Sequence, residues 1–162
     1  MSIYHRVKID EAPRRCLTEM LIAHANVRTL REKRKRGYDG SLNMRRTRNN
    51  WKIPALIKMM KDHGIYLLGL SETRRRSGIT HVGGGYLLII SQNERFQFLG
   101  GSGFLLSPAA ATAFRKAGSK LWYPRSGHSS SGRYLDIQLA TGSREPPMTM
   151  AVVYAPTMQS EM

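Results

Sequence analysis

The sequence predicts an α/β fold, and two patterns support that prediction. Short apolar runs of strand length are spread along the 162 residues, and one clear amphipathic helix interrupts them at residues 51–63. The strands outnumber the helices and do not alternate with them regularly, which favours an α/β sandwich over a sheet of strictly alternating strands and helices. A hydrophobic fraction of 41% is enough for the packed core of one ordinary domain.

The first predicted strand lies in "EMLIAHANVRTL", where apolar residues from Met20 to Ala23 precede the polar Asn26. Residues 1–19, before this strand, are mixed and polar, and we expect them to be poorly ordered. Residues 31–50, after it, are basic and rich in glycine and asparagine. Such a block is typical of a solvated loop, but it can also serve as an arm that contacts nucleic acid.

The helix at residues 51–63 carries signals at both ends. Asn50 can cap it, and Pro54 falls in the first turn, where a missing N–H costs little. Gly64 stands where a helix commonly ends in a left-handed residue. One face of this helix is apolar and consists of Ile53, Leu56, Ile57 and Met60.

The remaining elements follow in the order strand, strand, strand, helix, strand, strand. "IYLLGLS" is a continuous apolar run, as expected for a strand buried on both faces, and "GGGYLLIIS" and "GGSGFLLS" follow it. A short helix begins at Ser107-Pro108 and ends at Gly118. "RYLDIQLA" alternates as a half-exposed strand does, and "MTMAVVYAPT" is the last strand. With two helices for this many strands, one sheet face is short of cover.

The charge balance predicts a polyanionic partner. Lys and Arg number 26 against 11 Asp and Glu, a formal net charge of +15, which favours nucleic acid first and an acidic membrane surface second. Cys16 is the only cysteine, which excludes an intramolecular disulfide and a cysteine zinc cluster. No signal peptide or membrane-spanning run is visible, so we expect an intracellular protein, nuclear or cytoplasmic.

Three polar residues stand at the ends of apolar strands, namely Asn26, Glu72 and Tyr154. Side chains at one edge of a sheet converge, because the strands hold their ends together. Each residue also has an ordinary explanation: Asn26 as a turn residue, Glu72 as a solvated strand end, and Tyr154 as a core aromatic with its hydroxyl at the surface.

Five short motifs appear in a familiar order: "ANVRTL", "GLSETRRRSG", "GGYLLIIS", "GSGFLLSP" and "VVYAPT". In this order and spacing, from about Leu21 to Thr157, the sequence resembles the endonuclease/exonuclease/phosphatase superfamily, which has the DNase I-like fold. Within that superfamily it is most similar to endonuclease domains of non-LTR retrotransposons and their craniofacial-development-protein-2-like relatives.

The resemblance implies a four-layer α/β sandwich and Mg²⁺- or Mn²⁺-dependent phosphodiester hydrolysis of DNA. By the same resemblance, Asn26 orients groups near the metal, Glu72 is a metal ligand, and Tyr154 contacts the phosphate. The chemistry is consistent with these roles, because Mg²⁺ prefers oxygen ligands and often uses only one or two carboxylates.

Two motifs of the family do not occur in the sequence, a Gly-Asp-x-Asn strand end and a Ser-Asp-His. We therefore expect residues 20–162 to be the N-terminal part of such a domain, with the C-terminal part missing. Metal binding should then be weak. Turnover should be hard to detect, since general acid–base catalysis is typically worth about 10²–10⁴ in rate.

The arginines that follow Glu72 have two interpretations. Arg74, Arg75 and Arg76 can bind phosphates beside the scissile bond, or they can form a solvated loop. Two other functions stay open for the chain, a non-catalytic basic nucleic-acid-binding protein and a phosphatase acting on a small phosphoester. The basic loops argue against the phosphatase, because a small substrate needs no extended cationic surface.

Overall fold

The fold is α/β in a computed structural model that describes residues 3–8, 19–28, 30, 52–91, 100–122, 132–142 and 145–155. These residues form nine strands and two helices. The elements are β1 (Ile3–Lys8), β2 (Glu19–Asn26), α1 (Lys52–Asp62), β3 (Ile65–Ser71), β4 (Gly78–His81), β5 (Leu87–Ser91), β6 (Ser102–Leu106), α2 (Pro108–Lys116), β7 (Leu121–Trp122), β8 (Tyr134–Leu139) and β9 (Met148–Val153).

The strands form two sheets. Six of them lie in the order β1-β2-β3-β6-β5-β4, and the other three lie in the order β7-β8-β9. All pairings are antiparallel except that of β2 with β3, which is parallel. β2 and β3 therefore end at the same edge of the larger sheet, and this edge carries the candidate site.

The larger sheet is covered on both faces. α1 packs against β3 on one face, while β8, β9 and α2 pack against the other. This position explains why all seven residues of β3 are buried and why its sequence is an uninterrupted apolar run ending in serine.

The predicted helix signals are confirmed where the structure describes them. In α1, Pro54 lies in the first turn, and Gly64 adopts a φ of 64° after the last turn. In α2, the side chain of Ser107 accepts a hydrogen bond from the N–H of Ala110 at 3.3 Å, and Pro108 is the first helical residue. The predicted cap Asn50 lies outside the described residues.

The outer face of the three-stranded sheet lacks cover within the described part of the chain. β8 alternates between buried and half-buried residues, which confirms its predicted pattern. Trp122 and Val153 are 56% and 64% exposed, and both lie on the outer face. This exposed face agrees with the expectation that two helices leave one sheet face without cover.

Within residues 1–19, for which poor order is expected, Ile3–Lys8 form β1 and pair antiparallel with Glu19–His24 along the whole of β1. The short sequence of β1 carries no long apolar run, so its pairing depends on the neighbouring β2. The basic segment of residues 31–50 lies outside the described residues. Neither α1 nor α2 has the length and apolar character needed to cross a membrane.

Candidate functional site

Two parallel strands bring polar residues together at one edge of the larger sheet. β2 ends at Asn26, and β3 ends at Ser71, directly before Glu72. Asn26 is the register partner of Ser71. Because parallel neighbours end on the same side, this register places the side chains of Asn26 and Glu72 within reach of each other.

A hydrogen bond joins Asn26 to Glu72. The Nδ2 of Asn26 donates to Oε1 of Glu72 at 2.8 Å, and its Oδ1 accepts from the N–H of Arg28 at 3.0 Å. One end of the amide donates and the other accepts, so the two partners fix its orientation. The side chain of Glu72 is 20% exposed. Asn26 therefore positions a carboxylate that a ligand can reach.

Arg74 is the second partner of this carboxylate. Its Nη2 lies 3.7 Å from Oε2 of Glu72, a distance at which charge attraction acts without a well-formed hydrogen bond. The Nε of Arg74 is buried and has no hydrogen-bond partner. Arg75 is half-buried and Arg76 is exposed, and of the three predicted arginines only Arg74 forms a salt bridge with Glu72.

The backbone of the site adopts an uncommon conformation. Arg28, Glu72 and Arg74 have φ angles of 49°, 56° and 47°, in the left-handed region. This region costs a non-glycine residue about 1–2 kcal/mol. Within the described residues, Ser119 is the only other non-glycine residue there. Such conformations persist where the surrounding structure holds them, and they concentrate at functional sites.

Two glycines before β6 connect this strained segment to Tyr154. The N–H groups of Thr73 and Arg74 donate to the carbonyls of Gly101 and Gly100 at 3.1 and 2.9 Å. A Cβ added at Gly100 would lie 2.9 Å from Cε1 of Tyr154, so the ring packs directly on that glycine. Sequence reasoning missed these glycines, although the Gly-Gly pair before an apolar run was visible.

Tyr154 lies beside the segment that follows Glu72, because its ring packs on Gly100 and the carbonyl of Gly100 accepts a hydrogen bond from the N–H of Arg74. The N–H of Tyr154 donates to the carbonyl of Arg133 at 2.7 Å, which extends the pairing of β8 with β9. Within the described residues, no hydrogen bond joins Tyr154 to Glu72 or Asn26. The structure thus brings Asn26 and Glu72 into direct contact and holds Tyr154 nearby through Gly100.

A row of hydroxyl side chains continues across the larger sheet from Asn26. In register order, the row is Asn26 on β2, Ser71 on β3, Ser102 on β6 and Ser91 on β5. The three serines are buried, and the hydroxyls of Ser91 and Ser102 have no hydrogen-bond partner. The serines face the three-stranded sheet, as do residues at alternate positions of their strands, namely Leu67, Phe104 and Ile89.

This serine row was not predicted from the sequence. The available signal was a serine at the C-terminal end of two apolar runs, "GLS" and "LIIS", and at the N-terminal end of a third, "GGSGFLL". Each buried hydroxyl without a partner costs about 1–3 kcal/mol. The fold therefore keeps polar groups beneath the candidate site at the expense of stability.

His24 is a second unpredicted polar group beneath the site. It lies two residues before Asn26 on the same face of β2, close to Gly69 and Val152. Its Nε2 is buried and has no hydrogen-bond partner. Burial lowers the pKa of His24 below its ordinary value of 6.5, so the imidazole is neutral at pH 7.

The residues present fit a weak site for a divalent cation. Glu72 offers one carboxylate, and Mg²⁺ is often bound through one or two carboxylates together with water and a substrate phosphate. Among the residues that the structure describes, no three His, Cys, Asp or Glu side chains are grouped to hold a metal. Arg74 also competes for Oε2 of the same carboxylate. We therefore expect low metal affinity without substrate.

Comparisons of the chain with protein-family models, with curated proteins and with solved structures find no match.

Proposed function

We propose that this chain is related to the divalent-metal-dependent DNA endonucleases of the endonuclease/exonuclease/phosphatase superfamily, of the retroelement type. The hydrogen bond between Asn26 and Glu72 carries the proposal. These residues lie 46 positions apart in the chain, yet their side chains meet at 2.8 Å at the shared edge of two parallel strands. Two stacked sheets with α1 on the outside support the finer proposal of a DNase I-like sandwich.

Each predicted residue has a role that its position supports. Glu72 would hold the metal through its carboxylate, which Asn26 orients by its hydrogen bond to Oε1. The metal, when bound, would stabilise the charge that builds on the phosphate oxygens. Arg74 turns from Glu72 to a phosphate of the DNA, which forms a stronger charge-assisted pair than the 3.7 Å contact. Tyr154 donates a hydrogen bond to the same phosphate.

Hydrolysis by this chain alone is expected to be very slow. The sequence contains neither the Gly-Asp-x-Asn nor the Ser-Asp-His motif, so no residue is assigned to activate the attacking water. His24 does not replace that residue, because its Nε2 is buried and faces the interior between the sheets. The chain should therefore bind DNA and a divalent cation without efficient turnover.

Glu72→Gln tests the metal-ligand assignment directly. The amide keeps the shape of the side chain but removes its charge, so Mn²⁺ affinity should fall about tenfold or more, as measured by electron paramagnetic resonance. Glu145→Gln is the matched control, because Glu145 is an exposed carboxylate outside the site. Equal Mn²⁺ affinity in Glu72→Gln and the unaltered chain would refute the assignment.

A plasmid-nicking assay with Mg²⁺ or with EDTA tests the expected lack of turnover. We expect nicking with Mg²⁺ to stay at the level of the EDTA sample. Robust nicking that EDTA suppresses and Glu72→Ala abolishes would show that the chain is an active nuclease alone.

A non-catalytic nucleic-acid-binding protein is the second candidate, and the salt bridge between Arg74 and Glu72 favours it. A guanidinium beside the carboxylate neutralises the charge that a metal needs, while the net charge of +15 still attracts DNA. DNA affinity measured with and without Mg²⁺ separates the candidates. Tighter binding with Mg²⁺ that Glu72→Gln removes supports the nuclease, whereas equal affinity under all conditions supports the binding protein.

A further inference from the structure

A cleft of about 350 Å³ lies between α1 and the turn that joins β4 to β5. Its volume is in the range of small-molecule sites. The cleft runs along α1 from Pro54 in its first turn to Lys61 in its last turn, and Lys52, two residues before Pro54, donates from its Nζ to the carbonyl of Val27 near the candidate nuclease site. The two lysines of the cleft, Lys58 and Lys61, lie in the C-terminal half of α1, away from Lys52.

Two lysines give the cleft its charge. Nζ of Lys61 lies 5.9 Å from the centroid of the Tyr86 ring, which favours an ammonium over its face. Nζ of Lys58 lies 2.6 Å from Oδ2 of Asp62, in an i,i+4 pair on the helix surface. Two ammonium groups and one carboxylate leave a net positive charge at this wall.

The opposite wall supplies backbone donors. The turn closes through hydrogen bonds from the N–H of Val82 to Tyr86 and from the N–H of Tyr86 to Gly83. Gly83 and Gly84 line the cleft with φ angles of 92° and 57°. No residue of the described chain accepts a hydrogen bond from the N–H of either glycine. Successive free N–H groups in such turns bind anions in other proteins.

We infer that this cleft binds a phosphate group. Lys61 and Lys58 supply the charge, and the N–H groups of Gly83 and Gly84 supply hydrogen bonds to the phosphate oxygens. The apolar part of the lining, Pro54, Ile57 and Val82, contacts the organic group that carries the phosphate. That phosphate belongs either to a free nucleotide or to a nucleic-acid strand. The site is independent of the proposed nuclease function.

The direct test is the amide spectrum of the ¹⁵N-labelled chain during titration with inorganic phosphate, a mononucleotide and a short single-stranded oligonucleotide. We expect saturable shifts of the Gly83 and Gly84 amide signals. Shifts with the mononucleotide identify a free nucleotide as sufficient, and shifts with the oligonucleotide alone identify the nucleic-acid backbone as the source. Unchanged Gly83 and Gly84 signals with all three ligands would overturn the inference.

Substitutions that remove a positive or a negative charge from the cleft should change its ligand affinity in opposite directions. For the ligand that shifts the glycine signals, Lys61→Gln should lower the affinity about fivefold. Asp62→Asn should raise the affinity by a similar factor. Lys116→Gln, at an exposed lysine of α2, is the matched control and should leave the affinity unchanged. An equal decrease in Lys116→Gln and Lys61→Gln would show unspecific charge attraction and overturn the site. Glu72→Gln should not alter this titration, so failure of the nuclease proposal remains distinguishable.

Discussion

Glu72 combines a partly exposed carboxylate with a strained backbone. Its left-handed φ of 56° is held by hydrogen bonds on both sides, from the N–H of Val27 to Ser71 at 3.1 Å and from the N–H of Leu30 to Thr73 at 2.7 Å. These bonds connect the segment after β2 to the segment after β3. The carboxylate therefore depends on two chain segments for its position, as expected where geometry serves binding more than stability.

Two substitutions of Arg74 distinguish the effect of backbone strain on stability from the effect of losing the guanidinium charge. Arg74→Gly and Arg74→Ala both remove the guanidinium, but only glycine adopts a φ of 47° without steric cost. Arg74→Gly should therefore be more stable than Arg74→Ala by about 0.5–1 kcal/mol in urea unfolding. Both variants should bind Mn²⁺ more tightly than the unaltered chain, because Glu72 loses its competing partner. Equal stability of the two variants would contradict the strained conformation.

His24 predicts how stability changes with pH. Burial lowers the pKa of His24 in the folded state, whereas the unfolded chain regains a value near 6.5. As the pH falls below 6.5, His24 becomes protonated in the unfolded state before it does so in the folded state. The free energy of unfolding therefore decreases as the pH falls from 6.5 toward the lower pKa of the folded state. Urea unfolding between pH 7.5 and 5.5 should show the decline, and His24→Gln should flatten it.

The matched control for this pH dependence is His81→Gln, since His81 is an exposed residue of β4. This variant should retain the decline of the unaltered chain. A pH profile of unfolding that is the same for His24→Gln and the unaltered chain would contradict the role of His24.

At the scale of elements, periodicity predicted the strands and helices that pack in the core. The apolar run of β3, the alternation of β8 and the caps of α2 each follow from which faces are buried. β4 and β7 were not predicted, because β4 is exposed along its whole length and β7 has only two residues. These two strands form because they pair with β5 and β8, and the local sequence does not specify such pairing.

The same distinction applies to the candidate site. The proximity of Asn26 and Glu72 was predictable, because each stands at the end of an apolar run and the two strands end at the same sheet edge. Ser91 and Ser102 were not, since their relation to Asn26 depends on the order in which β2, β3, β6 and β5 pair. Strand order is a tertiary property, and single runs of sequence do not specify it.

Two serines of the β6–α2 segment should respond in opposite directions to alanine. Ser102→Ala removes a buried hydroxyl that has no partner, so the free energy of unfolding should rise by about 1 kcal/mol. Ser107→Ala removes the hydroxyl that caps α2, so the free energy of unfolding should fall by about 1 kcal/mol. Urea unfolding of both variants measures the contrast. Destabilisation by Ser102→Ala would show that its hydroxyl is satisfied in the folded protein.

At the scale of the whole molecule, the net charge of +15 should govern DNA binding. The logarithm of the DNA association constant should fall linearly with the logarithm of salt concentration, because each neutralised phosphate releases counterions. Replacement of Arg75 and Arg76 by glutamine should make this slope shallower by about one for each of the two arginines that binds a phosphate. Fluorescence anisotropy over a salt series measures this slope, and a flat response would exclude the polyanion as partner.

The open outer face of the three-stranded sheet also gives the molecule an optical reporter. Trp122 stands on that face at 56% exposure, edge-on to the ring of Tyr134 with centroids 5.3 Å apart. An indole in water emits at longer wavelength than one that is covered. In a Trp51→Phe background, the emission wavelength of Trp122 therefore reports whether that face is exposed to solvent or covered, without any attached label.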